Sequence, residues 1–177
     1  GEQQHSSQHP GPDRYRGTLE SIAEVAAVMA SRPQDFILIQ QAADLTQAKQ
    51  SSRIGMIFNL QDTTALETDL KRVQALKDAG VRIFQLTYNK RNLCGDGALE
   101  KANAGLSDFG RQAIAAINKA EVLLDLSHGG QRTIAEAIAE TRVPPAITHT
   151  GCRDLVDNPR NVWDRELKAL ADKGGVV

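Results

Sequence analysis

The chain has 177 residues, is 41% hydrophobic, and nearly balances 21 Lys and Arg against 22 Asp and Glu. That size gives room for one ordinary domain with a sizeable core. The longest apolar runs are a handful of residues, short of the roughly 20 that span a bilayer, and no basic stripe interleaved with aromatics recommends nucleic acid. A small uncharged or zwitterionic substrate fits better. Cys94 and Cys152 are too few and too far apart for a metal knuckle or a disulfide framework, and read as reduced, packed thiols. No secretory signal opens at Gly1, and the absence of an initial Met leaves a longer N-terminal part open; the expected location is cytoplasmic.

Residues 1–17 are polar, rich in Gln, Ser, Gly and Pro, and read as a loop or arm in which His5 and His9 are solvated. The remaining residues, 18–177, read as one domain. Leu19, Ile22, Ala26 and Met29 recur at helical spacing behind Thr18 as N-cap, and Pro33 ends that helix. Phe36 to Ile39 is a short apolar run, and Ala42 to Gln50 a further helix. Ile54 to Leu60 reads as a buried strand with Gln61, Asp62 and Thr63 at its C-terminal end. Thr64 and Glu67 make a capping box for a helix with Leu66, Leu70, Val73 and Leu76 inward, closed at Gly80. Val81 to Leu86 is the next strand, ending in Thr87, Tyr88 and Asn89. After a longer loop come the helix Ser107 to Lys119, the strand Val122 to Leu126, the helix Gln131 to Glu140, the strand Ala146 to Thr148 and the helix Asp164 to Asp172. The closing GGVV reads as the opening of another strand.

Strand and helix alternate at least four times, which predicts parallel α/β architecture, a barrel or an open doubly wound sheet. No GxGxxG or GxxxxGKS follows a strand, which favours the barrel. A complete barrel takes roughly 250 residues, so the chain reads as an incomplete barrel of parallel β-α units.

His128 and His149 each follow a short apolar run, one crossover apart, and so emerge on the same rim of a parallel sheet. Two neutral imidazoles on adjacent strand ends can converge on a metal ion, with Ser127, Thr148 and Asp125 fixing the ring tautomers. One such His could merely bond a neighbouring loop; two at matching positions favour a metal. Arg160 and Asn161 lie in a Pro-containing loop on that rim, where a guanidinium could clamp a substrate carboxylate or instead pair with Asp157 or Asp164. Gln61 and Tyr88 end two earlier strands facing the same cavity. Gln can coordinate weakly through its carbonyl oxygen, and Tyr can donate to a developing oxyanion or contact substrate.

At VRIFQLTYNKRN, GLSDFGRQAIAAINK, VLLDLSH, PPAITHT, NPRNVWD and LKALADKGGVV the sequence resembles the membrane dipeptidase family, also called renal dipeptidases, over roughly Ile54 to Val177. The resemblance implies a (β/α)8 TIM-barrel hydrolase that cleaves dipeptides with metal-activated water at a binuclear zinc site. It matches His128 and His149 to the two histidines holding one zinc, and Arg160 to the arginine gripping the substrate's C-terminal carboxylate. It departs in four places. No HxD pair for the other zinc occurs here, the late catalytic Asp lies beyond Val177, Gln61 stands at the bridging glutamate, and Tyr88 stands at a substrate-binding histidine. One or two Zn2+ ions are therefore expected, with the second held more weakly because a neutral bridge compensates less charge. The expected activity is dipeptide hydrolysis, with a homodimer admitted; the alternatives are hydrolysis of another amide, such as an N-acyl amino acid or a lactam, or a catalytically silent binder of a small amino-acid ligand.

Overall fold

The structure, a computed structural model, describes residues 14–177. His5, His9 and most of the polar arm fall outside the described residues. The arm's last four residues, 14–17, are helical, because the first helix, α1 (Arg14–Ser31), starts one turn before Thr18. Thr18 is consequently no N-cap: its Oγ1 donates back to the Arg14 carbonyl at 2.8 Å. The extra turn is held by tertiary contact, since Tyr15 packs on the core and the Arg72 guanidinium lies 4.6 Å from its ring centroid. Among the described residues no helix is long and apolar enough to cross a membrane.

Strands β1 (Phe36–Leu38) and β2 (Ile54–Met56) pair in parallel around α2 (Ala42–Gln50). The predicted strand Ile54 to Leu60 is two short ones: β3 (Phe58–Leu60) turns away at Ile57 to join β4 (Val81–Gln85), with a register irregularity at Phe58 and Asn59. Nor is this stretch buried. Ile54 is 58% and Ile57 41% exposed; apolar content marked a strand correctly but not what covers it.

The capping box at Thr64 and Glu67 does not form either. Asp62 Oδ1 accepts from the Thr64 N–H, Thr64–Leu66 makes a single 3-10 turn, and Glu67 turns left-handed at φ 48° to pair with Arg72 at 2.7 Å. The α-helix α3 (Arg72–Asp78) begins only after that, and closes at Gly80, whose φ of 109° suits a residue without Cβ. Helix α4 (Asp108–Lys119) follows the predicted pattern, with the Ser107 Oγ accepting from the Gly110 N–H at 2.9 Å and Ala113, Ile114 and Ile117 buried. β5 (Leu123–Asp125) pairs with β4, then come α5 (Gln131–Glu140) and α6 (Asp164–Asp172) at their predicted bounds.

The predicted strand at Ala146 and the opening of one at Val176 are single parallel bridges, Asp125 to Ala146 and Ala146 to Val176. They complete a regular order. From β3 onward each parallel segment lies beside its sequence neighbours, β3, β4, β5, Ala146, Val176, with no reversal. A doubly wound sheet reverses its order, whereas a singly wound one curls into a barrel, so this is an arc of a barrel. The core lies between the arc's outer face and the helices, where Phe84, Leu86, Leu124 and Leu126 meet Val73, Leu76, Ile114, Ile117, Ile134 and Ile138. The inner face is partly open, with Leu123 37% exposed beside wholly buried Leu124.

Candidate metal centre and its rim

β5 passes its inner face to Asp125, the residue that builds the rim. Asp125 is wholly buried and accepts four bonds: Oδ1 from the Ser127 N–H (2.9 Å), the Ser127 hydroxyl (2.7 Å) and the Thr148 N–H (3.1 Å), and Oδ2 from the Thr148 hydroxyl (2.6 Å). A carboxylate that spans two neighbouring segments in this way fixes the relative height of the residues following them. Those residues are His128 and His149, whose ring centroids stand 4.8 Å apart at 62°.

The hydrogen bonds also fix which nitrogen each ring offers. The Thr148 hydroxyl gives its proton to Asp125, so at 2.9 Å from His149 Nδ1 its oxygen accepts and Nδ1 carries the proton. The main-chain N–H of His149 donates to Ser127 Oγ at 3.1 Å. His128 Nδ1 faces Asn89 Oδ1 at 2.7 Å, and an amide oxygen only accepts, so this Nδ1 is protonated too. Among the described residues, both imidazoles therefore keep their Nε2 lone pairs free of hydrogen-bond partners. Asp125 touches neither ring; it acts on His149 through Thr148.

His128 is buried, and burial is the main reason its pKa is pushed down to about 4, with the Arg160 guanidinium and then the neighbouring His149 adding to the effect and Asp125 opposing it. A histidine held neutral across the physiological range is a ready ligand. The donor set fits a metal ion to this extent: two imidazoles stand 4.8 Å apart with Nε2 atoms that, among the described residues, have no hydrogen-bond partner, while the Asp125 carboxylate behind them is taken up by four hydrogen bonds. A different group, Cys152, Asp154 and Asp164, brings ligand-type atoms within 4.8 Å of one another, but its bonds serve the entry to α6: Asp154 Oδ2 accepts from the Asp164 N–H and the Cys152 thiol donates to Asp164 Oδ1.

Tyr88, at the end of β4, stacks on His128 with centroids 4.1 Å apart and planes at 22°, and is 40% exposed. Arg160 sits close enough to feel both Tyr88 and Asp125; partial burial lowers its pKa and those two groups oppose the shift. Neither alternative ion pair forms, because Asp157 pairs with Arg153 at 2.8 Å and Asp164 receives the Cys152 thiol, and among the described residues the Arg160 guanidinium has no ion-pair partner. Asn161 Nδ2 donates to the Val156 carbonyl at 2.8 Å, holding the loop that carries Arg160. Gln61 lies exposed at the end of β3, with its backbone carbonyl taken by the Gln85 amide. Both cysteines are free. Burial pushes the Cys94 thiol up to about 11, and the hydrogen bond to Asp164 raises that of Cys152.

Two positions matter here that sequence reasoning passed over. Asn89 holds His128, and the only local hint was its place beside Tyr88 at a strand end. Gln85 is a wholly buried polar residue whose Nε2 ties the Gln61 carbonyl to that of Thr87 at 2.8 Å, setting the rim between β3 and β4. A lone Gln inside VRIFQL was its signal.

Residues 2–177 match the model of the membrane dipeptidase family, peptidase family M19. The chain belongs to this family. Among curated members, an uncharacterized dipeptidase of Schizosaccharomyces pombe is 28% identical over 167 residues, covering 92% of this chain and 40% of its own length. Among solved structures, an amidohydrolase from Pseudomonas aeruginosa is 34% identical with a TM-score of 0.87, over 91% of this chain and 50% of that one. A metallopeptidase from Rhodobacter sphaeroides, liganded with a phosphinate mimic of the dipeptide L-Ala-D-Ala, shares the fold at 21% identity and a TM-score of 0.80, over 88% of this chain and 46% of that one. The chain thus spans half or less of the length of these relatives. Its α/β architecture is the family's TIM-barrel type, present as a partial barrel, and membership in a metallopeptidase family implies a metal cofactor.

Proposed function

We propose that the whole protein carrying this chain is a zinc-dependent dipeptidase, with His128 and His149 holding one metal ion and Arg160 receiving the substrate's C-terminal carboxylate. The observation that carries this reading is the pair of imidazoles, ring centroids 4.8 Å apart, whose Nδ1 atoms are engaged while, among the described residues, neither Nε2 has a hydrogen-bond partner. The bound ion supplies Lewis-acid polarisation of the scissile carbonyl and activation of the attacking water.

This chain's own residues orient one side of that site. Asp125, through Thr148, keeps the His149 Nδ1 proton in place, and burial keeps His128 unprotonated and available. Arg160, a guanidinium without an ion-pair partner among the described residues, offers a planar fork to a carboxylate. Tyr88 lies beside both and presents a phenol that can donate to a developing oxyanion or to substrate. Gln61 is a neutral group where a bridging carboxylate was expected, so a second ion at that side should bind weakly.

The test is metal analysis and dipeptide hydrolysis on the full-length protein. His128→Ala and His149→Ala should abolish turnover and lose metal, while Arg160→Lys should mainly raise KM; turnover that survives both histidine substitutions removes the metal role. A second reading, hydrolysis of an N-acyl amino acid or another non-dipeptide amide, is favoured by Gln61 and Tyr88 and by the 34% identity to a protein described as an amidohydrolase. Comparing kcat/KM for dipeptides and acylated amino acids separates the two.

A further inference from the structure

We propose that Asn89 is the positioning residue of His128, fixing through its Oδ1 the imidazole tautomer that presents Nε2 to the metal ion; this rests on the reading of His128 as a ligand. The need for such a residue comes from the backbone. His128 has φ 64°, a left-handed conformation that is uncommon for a side chain with a Cβ, so its ring leaves the rim in a direction the strand alone does not set. Two consecutive residues at the end of β4 hold it there. Tyr88 covers one ring face at 4.1 Å, which fixes the plane, and Asn89 Oδ1 lies 2.7 Å from Nδ1, which fixes rotation within that plane and the site of the proton.

Asn89 is itself anchored through its main chain. Its carbonyl accepts from the Leu99 N–H at 2.8 Å, and the adjoining Ala98 N–H donates to the His128 carbonyl at 2.8 Å. Gly97 bridges Gly129, and a Cβ on Gly97 would come within 1.9 Å of the Tyr88 carbonyl oxygen. The backbones of Asn89 and His128 are therefore tied to one strap, Gly97 to Leu99, by bonds that a side-chain substitution at Asn89 leaves intact. Orientation of the ring and integrity of the loop can for that reason be separated by mutation.

The two histidines differ in what stands behind them. His149 leans on a hydroxyl backed by the buried Asp125 carboxylate, whereas His128 leans on a neutral amide. A carboxylate partner makes an imidazole a stronger donor to a metal, so Asn89→Asp should hold the ion at least as tightly as the native residue, and Asn89→Leu should hold it about 10–100-fold more weakly.

The experiment uses the full-length protein. In the metal-free state, imidazole 15N–1H correlation spectra, assigned with His128→Ala, read the tautomer; Zn2+ and Co2+ affinities are then measured by chelator competition, with thermal melting as control. The expected result is an Nδ1-protonated His128 in the native protein, loss of that single tautomer and weaker metal binding in Asn89→Leu at a melting temperature within a few degrees, and retained affinity in Asn89→Asp. An Nε2-protonated ring in the native protein, an Asn89→Leu affinity within twofold of native, or an Asn89→Asp affinity as weak as that of the leucine variant overturns the proposal. If Asn89→Leu does not fold, the tautomer and the Asn89→Asp affinity decide alone. Metal binding that His128→Ala leaves unchanged refutes the ligand reading itself, and the tautomer in the metal-free protein still tests the Asn89 contact separately.

Discussion

The arc from β4 to Ala146 and the stretch from β2 to Gln61 contain similar apolar runs and reach opposite outcomes. In the first, LLDLSH alternates Leu124 and Leu126 into the helical layer with Asp125 and Ser127 toward the rim, and every one of these is at most 1% exposed. In the second, IGMIFNL breaks at Ile57 into two strands in two sheets, with Ile54 and Ile57 left exposed and Gln61 engaged through its main chain. The difference lies in partners. β5 has strand neighbours on both sides and α4 and α5 behind it, and a charged residue, Asp125, that joins its end to the next segment. The site residues with defined orientation cluster where that support exists.

The sharpest way to break the contrast is Asp125→Ala, which removes an acceptor from four bonds and leaves the buried Ser127 donors without partners; at about 1 kcal/mol per bond, the expected loss is about 4 kcal/mol by chemical denaturation. Next are the two faces of β5. Leu124→Ala should cost about 3 kcal/mol through the cavity it opens, and Leu123→Ala under about 1 kcal/mol, measured in the 177-residue chain; equal costs would mean that the inner face is covered. Gly97→Ala should cost about 2 kcal/mol, because the new methyl meets the Tyr88 carbonyl and the strap beneath His128 must shift.

A smaller effect concerns pH. With its folded pKa pushed down to about 4, His128 stays neutral where the unfolded chain, at about 6.5, takes up a proton. Its contribution is therefore fully present above pH 6.5 and is lost as pH falls toward 4. Denaturation midpoints from pH 7 to 4 should slope less in His128→Gln than in the native chain. The smallest effect is at the exposed stretch, where Ile57→Thr should change stability by under about 0.5 kcal/mol.

The strands and helices with strong period were legible, down to the bounds of α2, α5 and α6. So was the pairing of His128 with His149, because a helix-length crossover between parallel segments returns the chain to the same rim. The capping box at Thr64 was not, since Asp62 two residues away competes for the same N–H and a left-handed Glu67 delays the helix. Asn89 was invisible for another reason: it lies 39 residues from His128, and nothing in the spacing says which of Thr87, Tyr88 and Asn89 turns toward it.

By itself the sequence determined the class of fold, the rim on which the candidate site residues gather and the kinds of donor available, because periodicity and strand ends are local properties of a chain. The tertiary structure alone decided that the parallel segments follow one another without reversal, that Asp125 serves hydroxyls and main chain rather than a ring, and that a neutral amide stands behind His128. Those are matters of which distant groups meet, and hydrogen bonds across segments are set by packing rather than by neighbours in sequence.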